Sequence, residues 1–184
     1  MLKFALIGAG RIGRMHGSII AGHTKTELVW VYDILEDNAI TTANTTLARV
    51  AKSLDEIFED DSLDAVLIAS STETHAELIV RAATAGKAVF CEKPIELDIK
   101  RVDWCREQIQ GLQVPVQIGF NRRFDPSHRK VADTARDGGI GNLEQVIITS
   151  RDPNPPPKEY YLASGGMFRD MTIHDFDMAR YVLN

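Results

Sequence analysis

The residues Gly8-Ala9-Gly10-Arg11-Ile12-Gly13 follow directly on the apolar run Leu2 to Ile7, and Asp33 closes the next such run, Glu27 to Tyr32. Glycines at this spacing turn a strand sharply into a helix. The first takes a positive φ, the second lets a pyrophosphate approach the backbone, and the third lets helix and strand pack closely. The helix opening at Arg11 and Ile12 aims backbone N–H groups and its positive dipole end at phosphate, so no side-chain cation is needed. Asp33, 20 residues beyond Gly13, falls where a carboxylate accepts adenosine ribose hydroxyls, and its charge repels a 2′-phosphate. The chemistry expected is dinucleotide binding, with NAD favoured over NADP.

Two more segments each follow an apolar run, Ser70-Ser71-Thr72-Glu73-Thr74-His75 and Cys91-Glu92-Lys93-Pro94. Ligands of open α/β sheets bind outside the carboxyl ends of the strands, so both segments are expected there. Ser70, Ser71, Thr72, His75, Glu92 and Lys93 are therefore candidates to line the cofactor cleft. A third segment, Gly165 to Asp177, holds Asp170 and His174 four residues apart, with Asp177 seven from Asp170. On one continuous helix these three share a face. An Asp–His pair at that spacing serves proton transfer, a metal site or helix capping. As a general base it would take a hydroxyl proton while hydride leaves, work worth roughly 10² to 10⁴ in rate, and the carboxylate would orient the ring. No second His/Cys cluster completes a metal sphere, so no metal is expected. His16, His23 and His128 lack such partners and are expected at the surface.

The elements that must carry these residues alternate strand and helix. Strands are expected at 2–7, 27–32, 48–50, 64–69, 87–91 and 114–119, apolar on both faces as in a parallel sheet covered by helices. Ser53 to Glu56 reads as a capping box, Thr72 as the cap of a helix ending at Gly86, and Asp98 as the cap of the helix carrying Val102, Cys105 and Ile109. The result is an α/β, doubly wound Rossmann domain over residues 1–120. Beyond it, Asp125-Pro126 starts a helix running to Gly138-Gly139, a long strand is expected from Leu143 to Arg151, and a single last helix from about Phe168 to Leu183. One strand and two helices leave a sheet edge and an apolar face uncovered, so residues 121–184 read as the incomplete start of an α+β domain with an open-faced sheet.

The chain has 184 residues, 44% of them hydrophobic, and a formal net charge of −5, which argues against nucleic-acid and anionic-membrane partners. Its two cysteines, Cys91 and Cys105, show no metal or disulfide spacing, consistent with a reducing cytoplasm. The first residues are expected to enter a strand, so no signal peptide is expected, and no apolar stretch approaches a membrane span.

GAGRIG, CEKP and SGGMFRDMTIHDFDMAR resemble the Gfo/Idh/MocA family of NAD(P)-dependent oxidoreductases over the whole chain, and QIGFNRRFD and ITSRDP with the following proline-rich loop resemble its inositol-oxidising members most closely. Ser71 stands where many members have proline. The resemblance implies a Lys, Asp, His catalytic set falling on Lys93, Asp170 and His174, with Asn121, Arg122 and Asp152 joining them around a small polyol. It further implies NAD as cofactor, oxidation of a cyclic polyol such as myo-inositol to its 2-keto form, and a homotetramer built through the second sheet. A related sugar oxidoreductase, or a non-catalytic NAD-binding sensor, are the alternatives; a sensor has no need of a base.

Overall fold

The short β-branched runs pair into one six-stranded parallel sheet. In the computed structural model, which describes residues 1–151, 154 and 164–183, the strands are β1 (Leu2–Ile7), β2 (Thr26–Tyr32), β3 (Arg49–Val50), β4 (Ala65–Ile68), β5 (Ala88–Cys91) and β6 (Val116–Ile118). Their order is β3-β2-β1-β4-β5-β6, so the chain reverses its winding direction between β1 and β4. Successive side chains of a strand point to opposite faces. Ala5 and Ile7 accordingly join one buried cluster with Val66, Ile68, Ile57, Ala76 and Ile79, whereas Leu6 joins another with Ile20, Leu28, Val31 and Ala43. Five helices cover these faces: α1 (Arg11–Gly22), α2 (Glu36–Thr46), α3 (Leu54–Phe58), α4 (Thr72–Thr84) and α5 (Ile99–Ile109).

Side chains cap two of these helix starts. Ser53 Oγ accepts the Glu56 N–H at 3.3 Å, while the Glu56 carboxylate reaches back one residue further than a capping box requires, to the Lys52 N–H at 2.8 Å. Asp98 caps α5 through the Lys100 N–H at 2.9 Å. At α4 the cap is Ser71 rather than Thr72, which is the first helical residue, and the helix ends at Thr84. Ser71 makes no side-chain cap bond there; the boundary is set by the backbone, which leaves the extended region only after Ser71, whose ψ is 144°.

The chain divides into two compact units, Met1–Gly119 and Phe120–Asn184. In the second, a 3₁₀ turn (Asn121–Phe124) precedes α6 (Pro126–Arg136), capped by Asp125 with proline at its start. The expected strand Leu143 to Arg151 is not formed: no residue from 143 to 151 is in a ladder. Val146-Ile147-Ile148-Thr149 suits a strand, but a strand needs a neighbour to bond to, and none of the described residues supplies one. The expected single last helix is two, α7 (Met167–Asp170) and α8 (Ile173–Leu183). Between them the Thr172 N–H bonds to Met167 O at 2.9 Å, a five-residue span that widens the turn, and Thr172 stands directly before Ile173 where a cap belongs. Among the described residues, no helix is long and apolar enough to cross a membrane.

Candidate active site

The glycine turn sits at the sheet's reversal point, after β1 and beside the end of β4. Gly8 has φ +93°, and a Cβ there would lie 2.4 Å from Ser70 N and 2.5 Å from Ala69 C. A Cβ on Gly13 would lie 1.9 Å from Gly8 O. These two glycines are needed by the protein itself. Gly10 is different: a Cβ there meets nothing within 4 Å, and as the N-cap of α1 it offers no capping side chain. Open space over a helix start is what a phosphate group requires, so the turn fits a dinucleotide. Arg11 is exposed and Ile12 partly buried, leaving recognition to backbone N–H groups.

Asp33 has a structural role beside the ribose role expected from its spacing. Its Oδ2 accepts the Ala9 N–H at 2.6 Å and its Oδ1 the Leu35 N–H at 2.8 Å. The carboxylate thus ties the glycine turn to the end of β2, and its remaining lone pairs are what a ribose would use.

At the end of β4, Ser70 Oγ hydrogen-bonds Thr74 Oγ1 at 2.7 Å, and Ser71 and Thr72 open α4. His75 is 2% exposed, with Nδ1 2.8 Å from Pro94 O and Nε2 3.1 Å from Ser70 O. Both nitrogens face protein carbonyls, so the ring offers no polar atom to a cleft, contrary to the expectation from sequence. At the end of β5 come Glu92 and Lys93, both partly buried, and Pro94, buried behind a cis Lys93–Pro94 peptide.

His16, expected at the surface, instead places Nε2 2.7 Å from Glu92 Oε1 and turns its ring edge toward Phe90. Burial pushes the Glu92 carboxyl up, but the His16 hydrogen bond and charge, with the Lys93 N–H and ammonium, hold it below the usual carboxylate range. The signal was present: His16 lies in the stripe Gly13, His16, Gly17, Ile20, whose i, i+3, i+4, i+7 spacing marks the packed face of α1. His128 pairs with its own helix cap, Asp125, at 3.0 Å.

In the second unit, Asp170 ends α7 and His174 lies in the first turn of α8, so the two do not share one continuous helix face. The His174 ring meets Phe120 edge to face at 6.4 Å. Asp177, expected on that face, is 8% exposed and gripped by Arg123 through Nε at 2.8 Å and Nη2 at 2.6 Å, a bidentate pair that fastens the 3₁₀ turn to α8. Arg122 Nη1 bonds Asp175 Oδ1, which also accepts from Ser150 Oγ. Burial pushes the Asp175 carboxyl up, and these hydrogen bonds with the Arg122 charge more than offset it, leaving it below the usual range. Asn121 is exposed, and Asp152 lies outside the described residues. Neither Asp175 nor Ser150 was legible from sequence, since nothing local signals a partner 25 residues away.

Among the described residues no group of His, Cys, Asp and Glu is arranged to hold a metal ion. Cys91 and Cys105 are buried free thiols, both pushed up by burial, which disfavours thiolate chemistry.

Comparison with known proteins shows the family and the fold. Residues 2–120 match the oxidoreductase family GFO_IDH_MocA, NAD-binding Rossmann fold, and residues 128–184 match the GFO/IDH/MocA C-terminal domain. The inositol 2-dehydrogenase of Rhizobium meliloti strain 1021 is 48% identical over 99% of this chain and 55% of its own length. The crystal structure of a myo-inositol dehydrogenase from Corynebacterium glutamicum superposes with a TM-score of 0.93 at 48% identity, over 99% of this chain and 55% of that one. A scyllo-inositol dehydrogenase from Lactobacillus casei, solved with NAD(H) and scyllo-inositol, gives a TM-score of 0.85 at 31% identity, over 99% of this chain and 56% of that one. The chain spans about half the length of the curated relatives it matches.

Proposed function

The chain belongs to the Gfo/Idh/MocA family of oxidoreductases, with an NAD-binding Rossmann fold, and from that premise we propose that it oxidises a cyclic polyol with NAD, taking myo-inositol to its 2-keto form. The observation that carries this reading is the pairing of an open glycine cradle at Gly10 with Lys93 at the carboxyl end of β5, in a chain 48% identical to an inositol 2-dehydrogenase.

When bound, NAD supplies the hydride acceptor. The chain's own residues do the rest. Gly10 and the first N–H groups of α1 hold the pyrophosphate in a turn shaped by Gly8 and Gly13, Asp33 takes the ribose, and Ser70, Ser71 and Thr72 border the same strand ends. Lys93 hydrogen-bonds the reacting oxygen and stabilises its developing negative charge. His174, assisted by Asp170, takes the hydroxyl proton as the C–H bond breaks, so the polyol leaves as a ketone. Asn121, Arg122 and Asp152 are proposed to approach the remaining hydroxyls. Asp175 fixes the Arg122 guanidinium. Residues 1–120 serve as the NAD-binding domain and 121–184 as the first part of the substrate and oligomerisation domain, in a homotetramer.

NADH formation across a panel of inositols and aldoses tests the assignment. Turnover highest with myo-inositol supports it. NAD binding without turnover of any polyol or sugar would leave a cofactor-binding module instead.

A further inference from the structure

Two imidazoles from different helices reach the loop that carries Lys93, one on each side of it. His16 of α1 bonds the carboxylate of Glu92 at 2.7 Å, and His75 of α4 reaches the carbonyl of Pro94 at 2.8 Å. The second nitrogen of His75 is 3.1 Å from Ser70 O, at the end of the neighbouring strand. Carbonyl oxygens only accept, so the ring must be the donor, and a neutral ring donates through one nitrogen at a time. The regular anchoring of the loop to the sheet is complete at Glu92, whose N–H bonds Ile68 O at 2.9 Å, with Gly119 N–H on Cys91 O at 2.8 Å from the other side.

We propose that His16 and His75 are positioning residues for Lys93, gripping Glu92 and Pro94 so that the backbone between them is held fixed. The inference rests on the reading of Lys93 as the group that meets the reacting oxygen. A lysine head on a flexible four-carbon stem gains accuracy only if its Cα is fixed. A misplacement of about 1 Å can cost on the order of 10² in rate. His75 is among the largest fully buried side chains, on the same helix that buries Ala76 and Ile79. Leucine would fill such a place without an imidazole's desolvation cost, so what the ring contributes is its directed contact to the loop. His16 adds a link of a different kind. It stands one turn beyond Gly13 on the helix whose start cradles phosphate, so the cradle and the Lys93 loop share one rigid support.

The test uses the full-length enzyme with His16→Leu and His75→Leu, and the donor-retaining variants His16→Gln and His75→Asn. Kinetics give kcat and KM for NAD and myo-inositol. Amide exchange read by mass spectrometry over peptides spanning residues 89–97 reports the loop without needing turnover. The leucine variants are expected to lose roughly 10- to 100-fold in kcat with KM for NAD changed less than about 3-fold. Their exchange at 92–96 should speed up by about 10-fold or more, and the glutamine and asparagine variants should recover most of both effects. Folded leucine variants with wild-type kcat, or with unchanged loop exchange, would overturn the proposal. If His75→Leu fails to fold, the His16 pair and His75→Asn decide it by the same readouts. A wild-type enzyme inactive on every polyol defeats the proposed function instead, and the exchange data alone then judge the brace.

Discussion

Gly8→Ala and Gly10→Ala should fail in opposite ways, although the two glycines stand two residues apart in one turn. At Gly8 the added methyl would sit 2.4 Å from Ser70 N and 2.6 Å from Ala69 O, both backbone atoms that cannot rotate away. The residue would also have to keep φ at +93°. Holding an L-residue there costs roughly 1–2 kcal/mol, and overpacking adds roughly 1–3, for a loss of about 2–5 kcal/mol. In a chain of this size that lowers Tm by roughly 5–20 °C. At Gly10 the backbone, φ −66° and ψ −168°, is open to alanine, and no atom lies within 4 Å of the new methyl. The lower unfolded-state entropy of alanine, worth about 0.4–1 kcal/mol, offsets its poorer N-capping, so stability should move by less than about 1 kcal/mol. Pyrophosphate is then pushed off the N–H groups of α1. Losing one charge-assisted hydrogen bond, about 1.5–3 kcal/mol, weakens NAD roughly 10- to 100-fold. Differential scanning calorimetry and isothermal titration with NAD read the two effects separately. Wild-type NAD affinity in Gly10→Ala, or wild-type Tm in Gly8→Ala, would refute the division of labour.

Asp33→Ala should narrow the preference for NAD over NADP by removing the charge that opposes a 2′-phosphate, and should weaken NAD about 10-fold because the turn also loses its tie to Ala9. Calorimetry on both cofactors checks this, and equal affinities in the wild type would contradict it. His174→Ala in the full-length enzyme should cut turnover by roughly 10² or more with NAD affinity nearly unchanged. Near wild-type turnover, measured as NADH formation, would move the base elsewhere. Hydrogen bonds from Ser62 and Trp30 hold the Asp60 carboxyl at about 2, below its ordinary value of 3.8. A depressed carboxylate stabilises the fold above its unfolded value and loses that contribution as pH falls through the folded one. Asp60→Asn should therefore cost about 1–2 kcal/mol at neutral pH and progressively less from about pH 4 down to about pH 2, as urea titrations at both ends would show.

The Rossmann half was legible because its signals are local. Runs apolar on both faces marked the central strands, the glycine spacing marked the turn, and Ser53 and Asp98 marked helix starts. Even the two-residue strand Arg49–Val50 follows from its place between two helical stretches. What escaped depends on partners distant in sequence. His16 looked solitary because Glu92 is 76 residues away, and Asp33 looked dedicated to a ribose because its bond to Ala9 spans 24. The break between α7 and α8 has no glycine or proline to announce it, only Thr172 in a position to cap, so Asp170 and His174 were wrongly set on one helix. The run from Leu143 to Arg151 has strand chemistry and no ladder, since β structure is completed by a neighbour rather than by its own residues.

The central proposal is that hydride passes from C2 of myo-inositol to NAD, with Lys93 and His174 handling the proton. Myo-inositol carrying deuterium at C2, turned over by the full-length enzyme with NAD and followed by proton NMR of the reduced cofactor, tests it most directly. The account predicts deuterium on C4 of the nicotinamide and a 2-keto product that has lost it. Reduced cofactor without deuterium at C4, or deuterium retained in the oxidised product, would contradict it.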